Sequence, residues 1–173
     1  MPEFVNPNEI LDNINLRPNM TAADLGSGSG GWAIPLAKKL EEGRVFAVDI
    51  QESPLSALEG KAKIAGVSNI VKVIANVEES VSQLKGFSCD LVLITDLLYQ
   101  VDNKENVFGE ARRVLKSGGT SLVVEWSQNS PLGPKEGKVS KEEVQEIAKN
   151  SGLRFEKELM AGDYHFALVF KKP

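Results

Sequence analysis

Apolar runs of strand length alternate along this chain with segments whose apolar residues recur at helical spacing. That alternation predicts a parallel sheet covered by helices. Asn6 as N-cap, Pro7 at the first helical position and Glu9 at the capping-box position open a helix carrying Ile10, Leu11 and Ile14. Thr21 to Leu25 reads as the first strand. Gly31 to Leu40 follows as a helix with Trp32, Ala33, Leu36, Ala37 and Leu40 on one face, and Pro35 belongs in its first turn. Arg44 to Asp49 is the second strand. Ser53-Pro54 opens a further helix that Gly66 closes, ahead of a strand at Ile70 to Ala75. A short helix is expected near Glu78 to Leu84. Cys89 to Thr95 is continuously apolar enough for the sheet centre, with Asp96 at its C-terminal end. Val107, Phe108, Ala111, Val114 and Leu115 define the next helix, which Gly118-Gly119 terminates before a fifth strand at Thr120 to Trp126. Ser140 and Glu143 form a capping box for a last helix bearing Val144, Ile147 and Ala148, and Gly152 ends it.

The tail breaks the alternation. Phe155 to Leu159 and His165 to Phe170 are separated only by Met160-Ala161-Gly162-Asp163-Tyr164, too short a link for a crossover helix, so the two pair as an antiparallel hairpin. The reading is an α/β fold of seven strands, doubly wound, in three layers. At 173 residues and 42% hydrophobic content, one domain spanning 1–173 is expected, with 1–19 as an N-terminal helix and lead-in to a core at 20–173. The net charge of −4 leaves no basic footprint for holding nucleic acid, so a small-molecule substrate fits better. Cys89 is the one cysteine and has no partner for a disulfide or a zinc site; between Phe87 and Leu91 it reads as a buried thiol. The first residues lack a signal-peptide pattern, and no apolar run approaches the ~20 residues of a membrane span. A cytoplasmic location is expected, and the oligomeric state is left open.

The stretch Ala23-Asp24-Leu25-Gly26-Ser27-Gly28-Ser29-Gly30-Gly31-Trp32, followed by Arg44 to Asp49, reads as strand, glycine-rich turn, helix, strand, acid. That layout binds nucleoside cofactors: glycines let the backbone approach a ligand, and an acid ending the second strand accepts ribose hydroxyls. Gly26, Gly28 and Gly31 also satisfy the dinucleotide pattern, which keeps a nicotinamide or flavin enzyme open. Asp24 before the loop, Asp49 after the second strand, and a hairpin in place of a second nucleotide-binding half tilt the reading away from a dinucleotide.

With these motifs the chain resembles the class I S-adenosylmethionine-dependent methyltransferases, in the small-molecule branch that includes quinone-biosynthesis enzymes. The resemblance runs from about Leu16 to Lys172. It is carried by Asp24 to Gly30, by Val48-Asp49, and by Ala111 to Gly119 as the helix and turn before the fifth strand. It implies a mostly parallel seven-stranded sheet in the order 3-2-1-4-5-7-6, its last strand antiparallel and helices on both faces. It also implies S-adenosylmethionine as cofactor. Gly26, Ser27, Gly28 and Gly30 would pass close to the methionine portion, and Asp24 would meet its ammonium or steady the loop. Asp49 would take the ribose hydroxyls. Asn76 stands at the adenine-contacting position, where an acid is more usual. Val77 would wall the ring, with Ile50 or Trp32 packed nearby, and Asp96 completes the expected cofactor set.

Methyl transfer is an in-line displacement, so the protein chiefly positions the acceptor and excludes water. Ligands of open parallel sheets sit beyond the carboxyl ends of the strands, which makes Asp96, Tyr99 and Trp126 the substrate-side candidates. His165, the single histidine, lies beside Tyr164 where the hairpin turns back. The pair is a candidate acceptor contact, and Asp96, Tyr99 and His165 are the candidate catalytic groups. The segment 127–139 is long for a connection and reads equally as a lid over the acceptor pocket or as a mobile loop. Lys135, Lys138 and Lys141, interleaved with Glu136, Glu142 and Glu143, read as a solvated face. Asp96-Leu97-Leu98-Tyr99 lacks the two prolines of nucleic-acid amino methyltransferases, which ranks base methylation below a small acceptor; protein methylation is also ranked lower, and a single cysteine disfavours arsenic as acceptor. Two rival classes remain: a truncated oxidoreductase, for which no tyrosine–lysine pair is found at Tyr99 and Asn103, and a non-catalytic protein that binds the same cofactor.

Overall fold

A computed structural model describes residues 1–173. Seven strands form one sheet: β1 (Thr21–Leu25), β2 (Arg44–Asp49), β3 (Ile70–Ile74), β4 (Cys89–Thr95), β5 (Leu115–Trp126), β6 (Arg154–Leu159) and β7 (His165–Lys171). Their order is β3-β2-β1-β4-β5-β7-β6. β1 to β5 are parallel, and β7 runs antiparallel to both β5 and β6. The order and the reversed last strand are those the resemblance implies. No helix is long and apolar enough to cross a membrane.

Side chains alternate across the pleat, so each central strand feeds two cores. Ala22, Leu91, Leu93, Leu122 and Val124 pack under α1 (Pro7–Asp12), α2 (Ala33–Lys39) and α3 (Glu52–Ile64). Ala23, Val92, Ile94, Val123, Leu168 and Phe170 pack under α4 (Lys104–Val114) and α5 (Lys141–Asn150). This double burial is why β4 reads as apolar throughout. Cys89 is fully buried in the second core. Local signals set several helix ends: the Asn6 side chain accepts the Asn8 N–H, Ser140 Oγ accepts the Glu143 N–H at 3.0 Å, and Gly66 and Gly152 turn the chain at φ +69° and +82°.

Three expectations are corrected. No helix forms over 78–84, because the backbone of that segment is paired to α4 side chains. Val81 N–H donates to Glu110 Oε1, while the Arg113 guanidinium donates to the carbonyls of Val81 and Leu84. Helix α3 takes Gln51 as N-cap, which puts Ser53 and Pro54 inside its first turn, where a missing N–H costs nothing. Helix α4 ends at Val114 because Leu115 is already extended, and Gly118-Gly119 lies within β5. There the register on β4 slips between the Cys89–Leu115 and Leu91–Thr120 pairs, and Gly118 supplies the φ of +76°.

The strand order reverses between β1 and β4. The loops leaving those two strands therefore diverge and leave a crevice at the carboxyl edge of the sheet.

Candidate functional site

The loop after β1 is tied to the end of β2, since the N–H groups of Gly26 and Ser27 both donate to the Val48 carbonyl, at 2.8 and 2.9 Å. Asp49 braces it further. One carboxylate oxygen accepts the Gly28 N–H and the other the Gln51 N–H, each at 2.9 Å. Gly26 and Gly30 are sites of close approach: a Cβ at Gly26 would lie 2.7 Å from Leu97 Cδ1, and one at Gly30 would lie 2.9 Å from Leu58 Cγ. Gly28 has φ +54° and open space where a side chain would be, so its backbone is presented outward. Gly31 has neither a positive φ nor a crowding neighbour. The structure therefore requires glycine at 26 and 30, favours it at 28 through φ alone, and does not need it at the third position of the dinucleotide pattern.

A cavity of about 360 Å³ opens beside this loop, lined by Gly26, Gly28, Asp49, Ile50, Asn76 and Leu97, with Gln51, Pro54, Glu78, Gln100 and Val101. Ile50 is exposed at its rim. The Asn76 side chain is partly engaged, its Oδ1 accepting the Glu78 N–H at 3.0 Å. Glu78 holds the Asn103 N–H at 2.6 Å and supplies an acid two residues beyond Asn76. Val77 and Trp32 are packed in the two opposite cores and are not among the residues lining this cavity. Their apolar character serves packing.

Asp24 is fully buried at the end of β1, and neither carboxyl oxygen has a hydrogen-bond partner. Ser27 Oγ nearby in sequence is likewise buried and unpartnered. Burial, and then the charge of Asp49, push the Asp24 carboxyl up to about 7. Asp24 thus does not steady the loop; Asp49 does. A buried acid without partners is costly unless a donor or cation arrives.

On the other side of the crevice, Asp96 follows β4 with φ +48°, and its Oδ1 lies 3.1 Å from His165 Nε2. The imidazole stacks on Trp126 with ring centroids 4.0 Å apart. Pairing of β5 with β7 brings those two residues directly opposite each other. His165 Nδ1 is buried without a partner. Tyr99 lies in a 3-10 turn (Leu98–Gln100), where burial first and then the charges of Asp96 and Glu125 push its phenol up. Tyr164 sits in the β6–β7 turn against Phe4, 5.2 Å between ring centroids. The N-terminal segment is pinned there by Glu3 N–H to Asp163 Oδ2 at 2.8 Å and Asp163 N–H to the Glu3 carbonyl at 2.9 Å.

The 127–139 segment packs down on this group. A Cβ at Gly133 would lie 2.4 Å from the Trp126 ring, and one at Gly137 would lie 2.9 Å from the Tyr99 carbonyl. Lys138 staples the segment internally by donating to the carbonyls of Ser130 and Leu132, and Lys141 pairs with Glu158. The structure therefore gathers Asp96, Trp126 and His165, and sets Tyr99 and Tyr164 on the flanking turns.

Sequence reasoning missed Glu125. Only 1% exposed, it accepts the N–H groups of Leu97 and Leu98 at 2.8 and 2.7 Å. Burial pushes its carboxyl up to about 8 against the opposing pull of those two donors. An acid inside an otherwise apolar strand was the available signal.

A family model described as "Methyltransferase domain" matches residues 16–160. Demethylmenaquinone methyltransferase from Geobacillus kaustophilus is 30% identical over 126 residues, which are 72% of this chain and 53% of that protein. A ubiquinone/menaquinone biosynthesis C-methyltransferase from Vibrio cholerae is 33% identical over 120 residues, 68% of this chain and 45% of its own length. The chain thus spans about half the length of the curated relatives it matches. Among solved structures, an S-adenosylmethionine-dependent methyltransferase from Aquifex aeolicus superposes with a TM-score of 0.89 at 24% identity, covering 98% of this chain and 91% of that one, and so has the same fold.

Proposed function

This chain belongs to the methyltransferase-domain family, and from that premise we propose that it transfers a methyl group from S-adenosylmethionine to a small-molecule acceptor. The observation that carries the reading is Asp24, a buried carboxyl with no partner beside a glycine loop that is braced by a second acid. Two acids flanking the loop disfavour a pyrophosphate and suit a ligand whose head is cationic. When bound, S-adenosylmethionine supplies a methyl group on an electron-poor sulfonium.

The residues present fit that group. Gly26 and Gly28 line the cavity, and directly behind them Asp24 and Ser27 are the buried, unpartnered groups that the ammonium and carboxylate of the amino-acid head engage on binding. Each Asp49 oxygen already accepts one backbone N–H and retains capacity for a ribose hydroxyl. Asn76, Glu78 and Ile50 receive the adenine.

The acceptor lies between Asp96, Trp126 and Tyr99, under the 127–139 segment, which excludes water. Asp96 takes the acceptor's proton where one must leave, and His165 holds the other side of that carboxylate. The names of the Geobacillus and Vibrio relatives support a small ring-bearing acceptor.

Calorimetric titration with S-adenosylmethionine, S-adenosylhomocysteine and NAD tests the cofactor. Micromolar binding of the two sulfur nucleosides with silence for NAD is expected; binding of NAD alone would return the oxidoreductase reading.

A further inference from the structure

We infer that Glu125 is a positioning residue whose carboxyl fixes the turn after β4, setting Leu97 against the glycine loop on one side and Asp96 toward the acceptor on the other. The inference rests on the cofactor reading above for one of its two tests.

The turn cannot hold itself. Leu97 and Leu98 have no side chain able to cap the 3-10 turn, and the N–H groups opening such a turn have no partner within it. Both donate to a single oxygen of Glu125, which reaches them from β5, a different strand. The neighbouring contacts complete the clamp: Asp96 N–H donates to the Val124 carbonyl at 2.9 Å, and Gln100 Nε2 donates to the Asp96 carbonyl at 2.7 Å. Between these fixed points Asp96 is held at φ +48°, in the left-handed region that Asp tolerates better than most L residues.

The clamp reaches both halves of the crevice. The Leu97 side chain fills the space a Cβ at Gly26 would need, and Leu97, Gln100 and Val101 line the cavity beside the glycine loop. Asp96, one residue earlier, carries the contact to His165. Glu125 itself lines neither site, so it acts through the backbone it grips.

The test compares Glu125→Leu, which removes the acceptor at similar volume, with Glu125→Gln, which keeps an oxygen for both N–H groups. Titration with S-adenosylhomocysteine should show about tenfold or greater weakening in Glu125→Leu and near wild-type affinity in Glu125→Gln. Equal affinity in all three proteins, or equal loss in both variants, would overturn the inference. Amide hydrogen exchange gives a readout independent of the ligand and of whether Glu125→Leu folds. The Leu97 and Leu98 amides should be protected like those of β4 in wild type and in Glu125→Gln, and fast exchange there in wild type would overturn the inference. Absence of wild-type binding would strike the cofactor reading and leave the exchange result to decide on Glu125.

Discussion

His165 presents Nε2 to Asp96 Oδ1 across 3.1 Å, with its own side chain 3% exposed and that of Asp96 36% exposed. The open group is therefore the carboxylate, and the imidazole stands behind it. In the tautomer that donates to Asp96, the lone pair falls on the buried Nδ1.

This geometry separates the two residues kinetically. With an acceptor in hand, Asp96→Asn should lower kcat by about a hundredfold or more, the usual range for losing a proton acceptor. His165→Gln should cost less, about tenfold, because an amide N–H still reaches Asp96. Steady-state rates for both variants check the order; a larger loss in His165→Gln would make the imidazole the base.

Asp49 has a structural and a proposed ligand role, and the two are separable. Asp49→Ala should weaken S-adenosylhomocysteine binding by about 1–3 kcal/mol through loss of buried hydroxyl acceptors. It should also raise amide exchange at Gly28, whose N–H it accepts. Titration and exchange on the same variant distinguish the contributions.

Cofactor affinity should depend on pH through Asp24. Its carboxyl is pushed up to about 7, and only the ionised form holds an ammonium. Binding should tighten as pH rises toward 7, by up to about tenfold per unit, and weaken again above about 8 as the ligand's own ammonium loses its proton. Asp24→Asn should bind more weakly at pH 8 and lose this dependence. Calorimetry between pH 5.5 and 8.5 measures both.

The ligand-free protein should show the opposite trend in stability. Asp24 and Glu125 have folded-state values of about 7 and about 8, above their ordinary 3.8 and 4.5, so the folded state binds more protons between those limits. The slope of unfolding free energy with pH is then negative. Their contribution is fully present below about pH 4 and is lost as pH rises through about 7 and 8. Asp24→Asn should gain on the order of 2–4 kcal/mol over wild type at pH 8 and little at pH 4, read from urea unfolding.

The 127–139 segment offers a steric test. Gly133→Ala combines a φ of +85° with a Cβ 2.4 Å from the Trp126 ring, so the segment must lift. Trp126 emission should shift to the red and acceptor KM should rise, with cofactor binding unchanged.

What was legible in the sequence was local or periodic. The caps at Asn6 and Ser140 act within three residues, and β4 announces its double burial by unbroken apolarity. The glycine loop and Asp49 are close enough in sequence for the pattern to imply their contact. What was hidden depends on elements meeting across the sheet. Val81 and Leu84 have the spacing of a helix face, but Glu110 and Arg113 take their backbone groups instead. The Asp96–His165 contact spans 69 residues, and nothing local to either residue selects the other. Glu125 stands out in the sequence as an acid in an apolar run, but what it grips shows only once the turn after β4 is in place.

The pinning of Glu3 and Phe4 on the β6–β7 turn bears on how the protein is handled in practice. An affinity tag fused ahead of Met1 would begin a few residues from Tyr164, at the same edge of the sheet as the acceptor site proposed above. β7 runs antiparallel to β5 and carries Lys171 to the opposite edge of the sheet. A purification handle or surface tether after Pro173 would therefore leave the crevice clear, and an acceptor screen belongs on protein tagged there.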